Sequence, residues 1–400
     1  MRIQYVSNVM HNEDFLALFP DRSKMPGQQI QKFHRLILEG LTANGCMVDT
    51  ISAAPITPGN YPRKMYPGGV RCCGNIRYGY IRTLNVPVVK NLCQMAGGFF
   101  RVLFGGKKDT AVVCDVLHMT VSLGAAIAAR IMGKPCVGVV TDLPELMVTE
   151  GAGKSYSRLV YGIIKLCTHY VLLTEQMNDV VNPNGKPYVI IEGLCDGKMA
   201  HVERSKKEAP LRKCLYAGLL DARYGVKNMV EAFLLADIPD ASLEVYGNGP
   251  YASELEAVAA AADNVVFHGT VSVDTVVQAE LEATLLVNPR PTHEEFTKYS
   301  FPSKNMEYMA SGTPVLTTNL AGMPEEYHQH VYLFDEESVE HMAQTFRNIL
   351  SLDQDVLWQK GAGAKEFVLK NKNNTVQAGK IISMLQHEES YEILSDFRGE

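Results

Sequence analysis

Short strand-like segments and amphipathic helix-like segments alternate along this chain in two successive series. The first series opens with an apolar strand at residues 2–7 and closes with one at residues 188–191, and the second series begins at residues 214–217. Such alternation builds a parallel sheet that is covered by helices on both faces. A polar and charged stretch at residues 197–212 separates the two series. We therefore predict an α/β protein with two doubly wound, Rossmann-like domains of roughly equal size.

The length of 400 residues fits two or three domains. We place the first domain at residues 1–197 and the second at residues 213–372. We expect a C-terminal helix at residues 373–400 to pack back on the first domain. Two segments break the regular pattern of the first domain, namely a long connection at residues 9–25 and a basic insertion at residues 57–108 that is rich in Gly, Pro and aromatic residues.

The composition excludes several classes of protein. Hydrophobic residues make up 46% of the chain and charged residues 20%, which rules out wholesale disorder, collagen and a small disulfide scaffold. No run of 18 apolar residues predicts a spanning helix, and the first fifteen residues lack a secretory core. The nine cysteines lie between Cys46 and Cys214, and their odd number fits a reducing cytoplasm better than a disulfide framework.

Charge is distributed unevenly between the two halves. Residues 1–200 hold 21 Lys and Arg against 14 Asp and Glu, whereas residues 201–400 hold 17 against 30. No acidic residue lies at positions 50–108. The basic residues of that span are Arg63, Lys64, Arg71, Arg77, Arg82, Lys90, Arg101, Lys107 and Lys108. Such a surface attracts anionic lipid headgroups, phosphates or nucleic acid.

Within the insertion, residues 86–104 carry many apolar side chains beside Lys90 and Arg101. Two interpretations remain open: the segment lies in a membrane interface, or it is a core helix with a solvated basic face.

No metal site is predicted. His328 and His330 share one face of a predicted strand but have no third ligand nearby.

The most informative stretch is YSFPSKNMEYMASGTPV at residues 299–315. Pro302 suits the first turn of a helix, which places Ser303 and Lys304 at its N-terminus. Free N–H groups, the helix dipole and the lysine charge make this an anion site. Glu307 lies about 6 Å further along the same helix, a distance that matches the separation between a nucleotide's phosphates and its ribose. The alternative is an ordinary helix start with a solvated lysine and glutamate.

Several further motifs accompany this stretch. They are YAGLLDARYG at 216–225, VYGNGP at 245–250, VVFHGTV at 265–271, LVNPR at 286–290, EGLCD at 192–196 and PGQQ at 26–29. Together these motifs resemble the retaining glycosyltransferases of family 4, which have the GT-B fold. The resemblance covers most of the chain and is strongest from residue 214 to about residue 334. The variant at residues 299–304 is similar to bacterial enzymes that assemble capsule, exopolysaccharide or O-antigen units.

The resemblance implies a UDP- or GDP-sugar bound mainly by the second domain, an acceptor bound mainly by the first, and retention of anomeric configuration without a divalent metal. The implied donor contacts are Gly218, Gly247, Gly249, His268, Gly269, Val271, Arg290, Lys298, Tyr299, Ser300, Phe301, Pro302, Ser303, Lys304 and Glu307. The implied catalytic residues are Lys304, Glu307, Arg223 and Asp142. The implied acceptor contacts are Gly27, Gln28 and His118.

The sequence departs from the family pattern at three places. Tyr299 stands where the family has the first of two glutamates, and Glu294 and Glu295 lie just upstream. Leu219 stands where the family has an arginine. Thr141 and Asp142 replace a His-Asp pair at the end of a strand in the first domain.

We therefore predict a hexosyltransferase that acts on a polyprenyl-diphosphate-linked saccharide in cell-surface polysaccharide synthesis. We expect it to be cytoplasmic and peripheral at the anionic inner face of the cell membrane, with no required cofactor and no nucleic-acid partner. Two alternatives remain: a non-catalytic GT-B scaffold that binds nucleotide sugar, and a nucleotide-sugar 2-epimerase. A dinucleotide oxidoreductase is disfavoured because no complete GxGxxG with a downstream acid follows the opening strand.

Overall fold

The computed structural model describes residues 1–21, 25–26, 28–106, 109–146, 153–204 and 211–396, with side chains through residue 386. The chain divides into two compact units. Residues 1–194 and the C-terminal segment from residue 374 form the first unit, and residues 195–373 form the second. No helix among the described residues is both long enough and apolar enough to cross a membrane.

The first unit is built on an eight-stranded sheet. Its elements are β1 (Arg2–Ser7), α1 (Asn12–Leu18), α2 (Gln28–Ala43), β2 (Met47–Ser52), β3 (Met65–Tyr66), β4 (Gly69–Cys73), β5 (Ile76–Tyr80), β6 (Thr83–Leu84), α3 (Pro87–Phe104), β7 (Ala111–Asp115), α4 (Met119–Met132), β8 (Cys136–Val140), α5 (Gly153–Leu166), β9 (His169–Leu172), α6 (Glu175–Val181), β10 (Tyr188–Ile190) and α13 (Asn374–Asp396). The strand order is β10-β9-β8-β7-β1-β2-β5-β4, and only β4 runs antiparallel to its neighbour. The order reverses between β1 and β7, so the unit is doubly wound.

Helices of the first unit approach one another closely at small residues. A Cβ added to Gly124 of α4 would lie 2.0 Å from the carbonyl oxygen of Met95, so only glycine allows α3 and α4 to pack at this distance. Directly after α2, the side chain of Asn44 donates a hydrogen bond to the carbonyl of Thr375 on α13 at 2.8 Å. This contact joins α13 to α2 within the first unit.

The second unit is built on a six-stranded, entirely parallel sheet. Its elements are β11 (Arg212–Leu219), α7 (Val226–Ala236), β12 (Ala241–Asn248), α8 (Ala252–Ala261), β13 (Val265–Gly269), α9 (Val273–Glu282), β14 (Leu285–Asn288), α10 (Ser303–Ser311), β15 (Val315–Thr317), β16 (Tyr332–Leu333), α11 (Val339–Leu350) and α12 (Gln354–Asn371). The strand order is β13-β12-β11-β14-β15-β16. Counted within the unit this is 3-2-1-4-5-6, the order of the Rossmann fold. The predicted α/β class with two doubly wound units is therefore confirmed.

Some local predictions were wrong. The connection predicted at residues 9–25 contains helix α1, and the side chains of Phe15 on α1 and Phe19 directly after it are buried in the core. His328 and His330 lie in a 3-10 turn, Glu325–His330, and not on a strand. Pro302 is the residue that precedes α10 and not part of its first turn, with φ −65° and ψ 111°.

Candidate functional site

The strand order of the second unit reverses between β11 and β14, and open α/β sheets bind ligands outside the carboxyl ends of the strands at such a switch point. The loops that follow these two strands touch each other here. Gly225, after β11, has φ +76°, and a Cβ at this position would lie 1.9 Å from the carbonyl oxygen of Pro289, after β14. A side chain is excluded for both reasons, so this glycine fixes how close the two loops come.

Three glycines predicted to contact the donor lie together at this edge of the sheet. Gly218 and Gly247 are paired neighbours on β11 and β12. Gly247 has φ +131°, and a Cβ there would meet the carbonyl oxygen of Gly218 at 1.8 Å. A Cβ added to Gly249 would likewise lie only 2.3 Å from the carbonyl oxygen of Leu220. Because these three residues have no side chains, the main chain at the ends of β11 and β12 is not covered by side chains of its own.

Helix α10 begins beside this edge. Its residue Tyr308 accepts a hydrogen bond from the main-chain N–H of Ala217 at 2.9 Å, which ties the helix to the end of β11. Asn305 of α10 accepts a hydrogen bond from the side chain of Asn288 of β14 at 2.7 Å. Both contacts are buried and hold α10 at the switch point. Phe301 and Pro302 are buried, Ser303 is exposed, and no side chain caps the helix.

Lys304 and Glu307, the two residues predicted to bind phosphate and ribose, form an ion pair with each other. The Lys304 Nζ lies 2.9 Å from Glu307 Oε2 and 3.6 Å from Glu280 Oε1. The side chains of Lys304 and Glu307 are 34% and 30% exposed. Burial lowers the pKa of Lys304, but the charges of Glu307 and Glu280 outweigh it, and the pKa lies above its ordinary value. Lys304 is therefore a firmly charged group held between two carboxylates.

Glu280 is a member of this site that the sequence analysis missed. It belongs to α9, and its side chain is only 5% exposed. Its neighbours Val276 and Ala279 pack into the apolar core of the second unit. The sequence does contain a sign of this role: Glu280 is an acid on the apolar face of an amphipathic helix, and a buried charge there needs a partner.

The other predicted cations of the second unit are also engaged. Arg223 forms an exposed ion pair with Asp221, at 2.8 Å between Nη2 and Oδ2. The guanidinium of Arg290 lies over the ring of Tyr224, 4.7 Å from its centroid, and 6.0 Å from that of Phe296. Lys298 and Tyr299 belong to a 3-10 turn, Glu295–Tyr299, that leads towards α10.

His268 and Gly269, two of the implied donor contacts, lie at the end of β13, the outer strand of the second sheet. The ring of His268 stacks on that of Tyr246, with centroids 4.2 Å apart and planes at 5°. Its Nε2 is hydrogen-bonded to Glu244. Gly269 follows with φ +66°, and the half-buried Val271 packs against the apolar core of the second unit.

The switch point of the first unit holds a buried polar chain. The hydroxyl of Tyr5 and Nδ1 of His34 are 2.7 Å apart, and Nε2 of His34 is 3.0 Å from Oδ2 of Asp115. His118, which precedes α4, places Nδ1 3.9 Å from the same carboxylate oxygen. Burial raises the pKa of Asp115, but the charge and hydrogen bond of His34 outweigh it, and the pKa lies below its ordinary value. Burial lowers the pKa of His118.

The other predicted site residues of the first unit do not belong to this polar group of Tyr5, His34, Asp115 and His118. Gln28 is exposed at the start of α2, and Asp142 is exposed two residues after β8. Gly27 lies outside the described residues. Tyr5 and His34 were missed by the sequence analysis because each bonds a residue that is remote in sequence. Within the described ranges, no group of three or more His, Cys, Asp or Glu side chains could hold a metal ion.

Comparisons with known proteins agree with this architecture. Residues 212–352 match the family model described as "Glycosyl transferases group 1". Sucrose-phosphate synthase from Thermosynechococcus elongatus is similar over 99% of this chain and 100% of its own, with a TM-score of 0.67 and 16% identity. A trehalose-6-phosphate structure from E. coli bound with UDP-2-fluoro glucose is similar over 96% of this chain and 99% of its own, with a TM-score of 0.67 and 11% identity.

The apo form of the lipopolysaccharide outer core galactosyltransferase WaaB is similar over 97% of this chain and 100% of its own, with a TM-score of 0.59 and 12% identity. The comparison with curated proteins gave no match. The chain therefore has the predicted GT-B fold with two Rossmann-like domains, and its match to the group 1 glycosyltransferase model supports glycosyl transfer from a nucleotide sugar.

Proposed function

We propose that this protein is a retaining glycosyltransferase, similar to family 4, that moves a hexose from a nucleotide-diphosphate sugar to a saccharide carried on polyprenyl diphosphate. The observation that carries the proposal is the position of Lys304 and Glu307 at the start of α10. This helix start adjoins the switch point of the sheet, within the segment that matches the glycosyltransferase model.

The leaving diphosphate of the donor would lie at the N-terminus of α10. Unbonded N–H groups and the helix dipole favour negative charge there, and the Lys304 ammonium adds a full positive charge. Negative charge grows on the diphosphate as its bond to the sugar breaks, so these groups stabilise the transition state more than the ground state. Because this charge comes from the protein, we propose that no divalent metal is required.

Glu307 would accept hydrogen bonds from the ribose hydroxyls of a UDP- or GDP-sugar. In the structure its carboxylate is instead 2.9 Å from Lys304. Donor binding would therefore replace this ion pair by an ion pair of Lys304 with phosphate and by hydrogen bonds from the ribose hydroxyls to Glu307. Glu280 would keep Lys304 charged throughout, because it contacts Lys304 from the buried side.

Arg223 and Arg290 are the next cations available to the diphosphate. Arg223 is paired with Asp221 at the surface, where an ion pair contributes only about 0–1 kcal/mol and exchanges readily. Together with Lys304, they would take the place of the arginine that the family has where this chain has Leu219.

The acceptor would bind mainly to the first unit, near Gly27, Gln28, Asp142 and His118. During transfer the bond from the sugar's anomeric carbon to the phosphate oxygen breaks, and a bond to the acceptor oxygen forms on the same face. The acceptor's hydroxyl proton passes to the departing phosphate oxygen, so no side chain has to serve as general base. We propose that the enzyme works peripherally at the inner face of the cell membrane, where lipid-linked saccharides are assembled.

The test is transfer of radiolabelled sugar from UDP- or GDP-hexoses into a membrane lipid extract, together with a melting-temperature screen of nucleoside diphosphates. Lys304→Ala should lower transfer by at least about a hundredfold, the effect of losing one contact to charge that develops in the transition state. Glu307→Ala should weaken donor binding and lower transfer at donor concentrations below KM, because it removes the hydrogen bonds from the ribose hydroxyls. Lys227→Ala is the matched control, because Lys227 pairs with Glu254 at 2.7 Å on the surface of the same unit. Wild-type transfer by both site variants would refute the site.

A second candidate is a non-catalytic GT-B protein that binds nucleotide sugar. It is favoured by Leu219 and Tyr299, which replace the family's arginine and first glutamate, and by the pairing of Lys304 with two acids. Stabilisation by a nucleoside diphosphate without any labelled product would support this candidate against the enzyme. An epimerase would reveal itself by converting the donor sugar without an acceptor.

A further inference from the structure

The outward face of α3 has an unusual composition. The exposed residues of this helix are Pro87, Val88, Val89, Asn91, Leu92, Ala96, Phe100 and Phe104. Asn91 is the one polar residue among them. Val88 is 72% exposed and Phe104 79%, and the rings of Phe100 and Phe104 stack on each other in the open. A surface helix normally turns a polar face to water, whereas the exposed face of α3 is almost entirely apolar.

Apart from Asn91, the long polar side chains of α3 point towards the protein and are hydrogen-bonded there. Lys90 Nζ donates to the main-chain carbonyl of Ile56 at 2.9 Å, and Arg101 Nη2 donates to that of Tyr80 at 2.9 Å. Gln94 is buried and accepts a hydrogen bond from α4. Rotating the helix to expose these groups would break all three interactions. The outward apolar face is therefore a fixed property of the fold.

The apolar surface continues beyond the helix onto the short antiparallel pair β3 and β6. Met65 and Leu84 stand opposite each other on these strands and are 40% and 43% exposed. Exposed cations, Lys64 and Arg82, adjoin them in the chain. The main-chain N–H of Asn85, just before α3, donates to the carbonyl of Lys64 at 2.7 Å, which holds this pair at the N-terminal end of the helix.

We propose that this face, formed by α3 with Met65 and Leu84, docks on an anionic lipid bilayer. The helix has 18 residues and is about 27 Å long, so it would lie along the surface with its phenyl and aliphatic groups among the upper acyl chains. Lys64 and Arg82 would then meet the headgroups. A bilayer is favoured over a protein partner by charge, because the exposed residues Lys64 and Arg82 next to this face are basic and residues 50–108 contain no acid.

The inference does not depend on the proposed transfer reaction, and its test needs no donor or acceptor. Purified protein is sedimented with vesicles of phosphatidylcholine containing roughly 30 mol % phosphatidylglycerol, and with vesicles of phosphatidylcholine alone. Wild type should bind the anionic vesicles at least about tenfold more tightly. Phe100→Gln/Phe104→Gln should lower that binding by about tenfold or more, since both rings lose their favourable burial.

The matched control is Leu235→Gln/Val356→Gln, which changes two residues of the second unit that are 47% and 45% exposed. It should bind vesicles as wild type does. Equal binding by wild type and the Phe100/Phe104 variant overturns the proposal. So does a wild-type dimer that this variant converts to monomer in sedimentation without lipid, because a second copy would then cover the face. Stabilisation by nucleoside diphosphate, measured separately, distinguishes a failure of docking from a failure of the proposed function.

Discussion

The buried carboxylate of Glu280 makes a quantitative prediction about Lys304. At an effective dielectric constant of about 20, unit charges 3.6 Å apart attract each other by about 4–5 kcal/mol. Lys304 is partly exposed and therefore partly screened, so we expect Lys304→Met to lower the free energy of unfolding by about 2–3 kcal/mol. Most of this loss is the cost of leaving Glu280 buried without its counter-ion.

A second substitution isolates that cost. Adding Glu280→Gln to Lys304→Met removes the orphaned charge and should restore stability to within about 1 kcal/mol of wild type. Adding Glu307→Gln instead should restore less than about 0.5 kcal/mol, because Glu307 is 30% exposed and remains hydrated without Lys304.

The assay is urea denaturation followed by tryptophan fluorescence. The chain has a single tryptophan, Trp358, which lies on α12 and reports the second unit alone. A loss below about 0.5 kcal/mol for Lys304→Met, or no recovery with Glu280→Gln, would refute Glu280 as the buried counter-ion. If the recovery occurs, the double variant provides a stable protein in which the role of Lys304 in diphosphate binding can be measured without a folding defect.

Two further predictions concern other contacts. Partial burial raises the pKa of Asp14, but hydrogen bonds from Arg71 and its charge outweigh it and the pKa lies below its ordinary value. Asp14→Asn should therefore lower the free energy of unfolding of the first unit by about 1 kcal/mol at pH 7, and this difference should shrink as pH falls below about 4 through the lowered pKa. Because Trp358 reports only the second unit, this urea unfolding is followed by circular dichroism, and an equal difference at pH 7 and pH 3 would contradict the prediction. Gly225→Ala should lower the free energy of unfolding by about 3 kcal/mol or more, because φ is positive there and the new Cβ would clash with the carbonyl of Pro289. Gly363→Ala is the control: nothing lies within 4 Å of its Cβ, so urea unfolding followed by tryptophan fluorescence should show an unchanged or slightly higher stability.

The sheet strands were predictable because their pattern is local. Strands buried on both faces, such as β7 and β8, appear as continuous apolar runs, and the glycines or polar residues that end them are visible in the sequence. Helix α1 was missed because it has seven residues and buries only Phe15. Part of its stability comes from Arg71, which bonds Asp14 across 57 positions and cannot be recognised from local sequence.

The candidate site was predictable where its chemistry lies in one continuous motif. Lys304 and Glu307 are three residues apart on one helix, so their proximity follows from helical geometry. Glu280 belongs to another helix, and His34 meets Asp115 across 81 positions. The pairing of Glu280 with Lys304 and of His34 with Asp115 depends on how the helices pack around each sheet. A resemblance of motifs predicts the order of the strands, but it does not predict which residue pairs with each buried charge.

Helix α3 shows most clearly what a sequence pattern leaves open. Its apolar and polar residues were visible, and the period of a helix separates them into two faces, but the period does not say which face turns inward. The usual assumption places the apolar face in the core, and here it fails for most of the apolar side chains because Lys90 and Arg101 turn inward and donate to the main-chain carbonyls of Ile56 and Tyr80. Gly98 and Gly124 contribute as well: without side chains at the contact, α3 and α4 pack through their backbones and need little apolar area from α3. The exposed apolar side chains of α3 are therefore not needed for packing within the first unit and are available to contact the proposed bilayer.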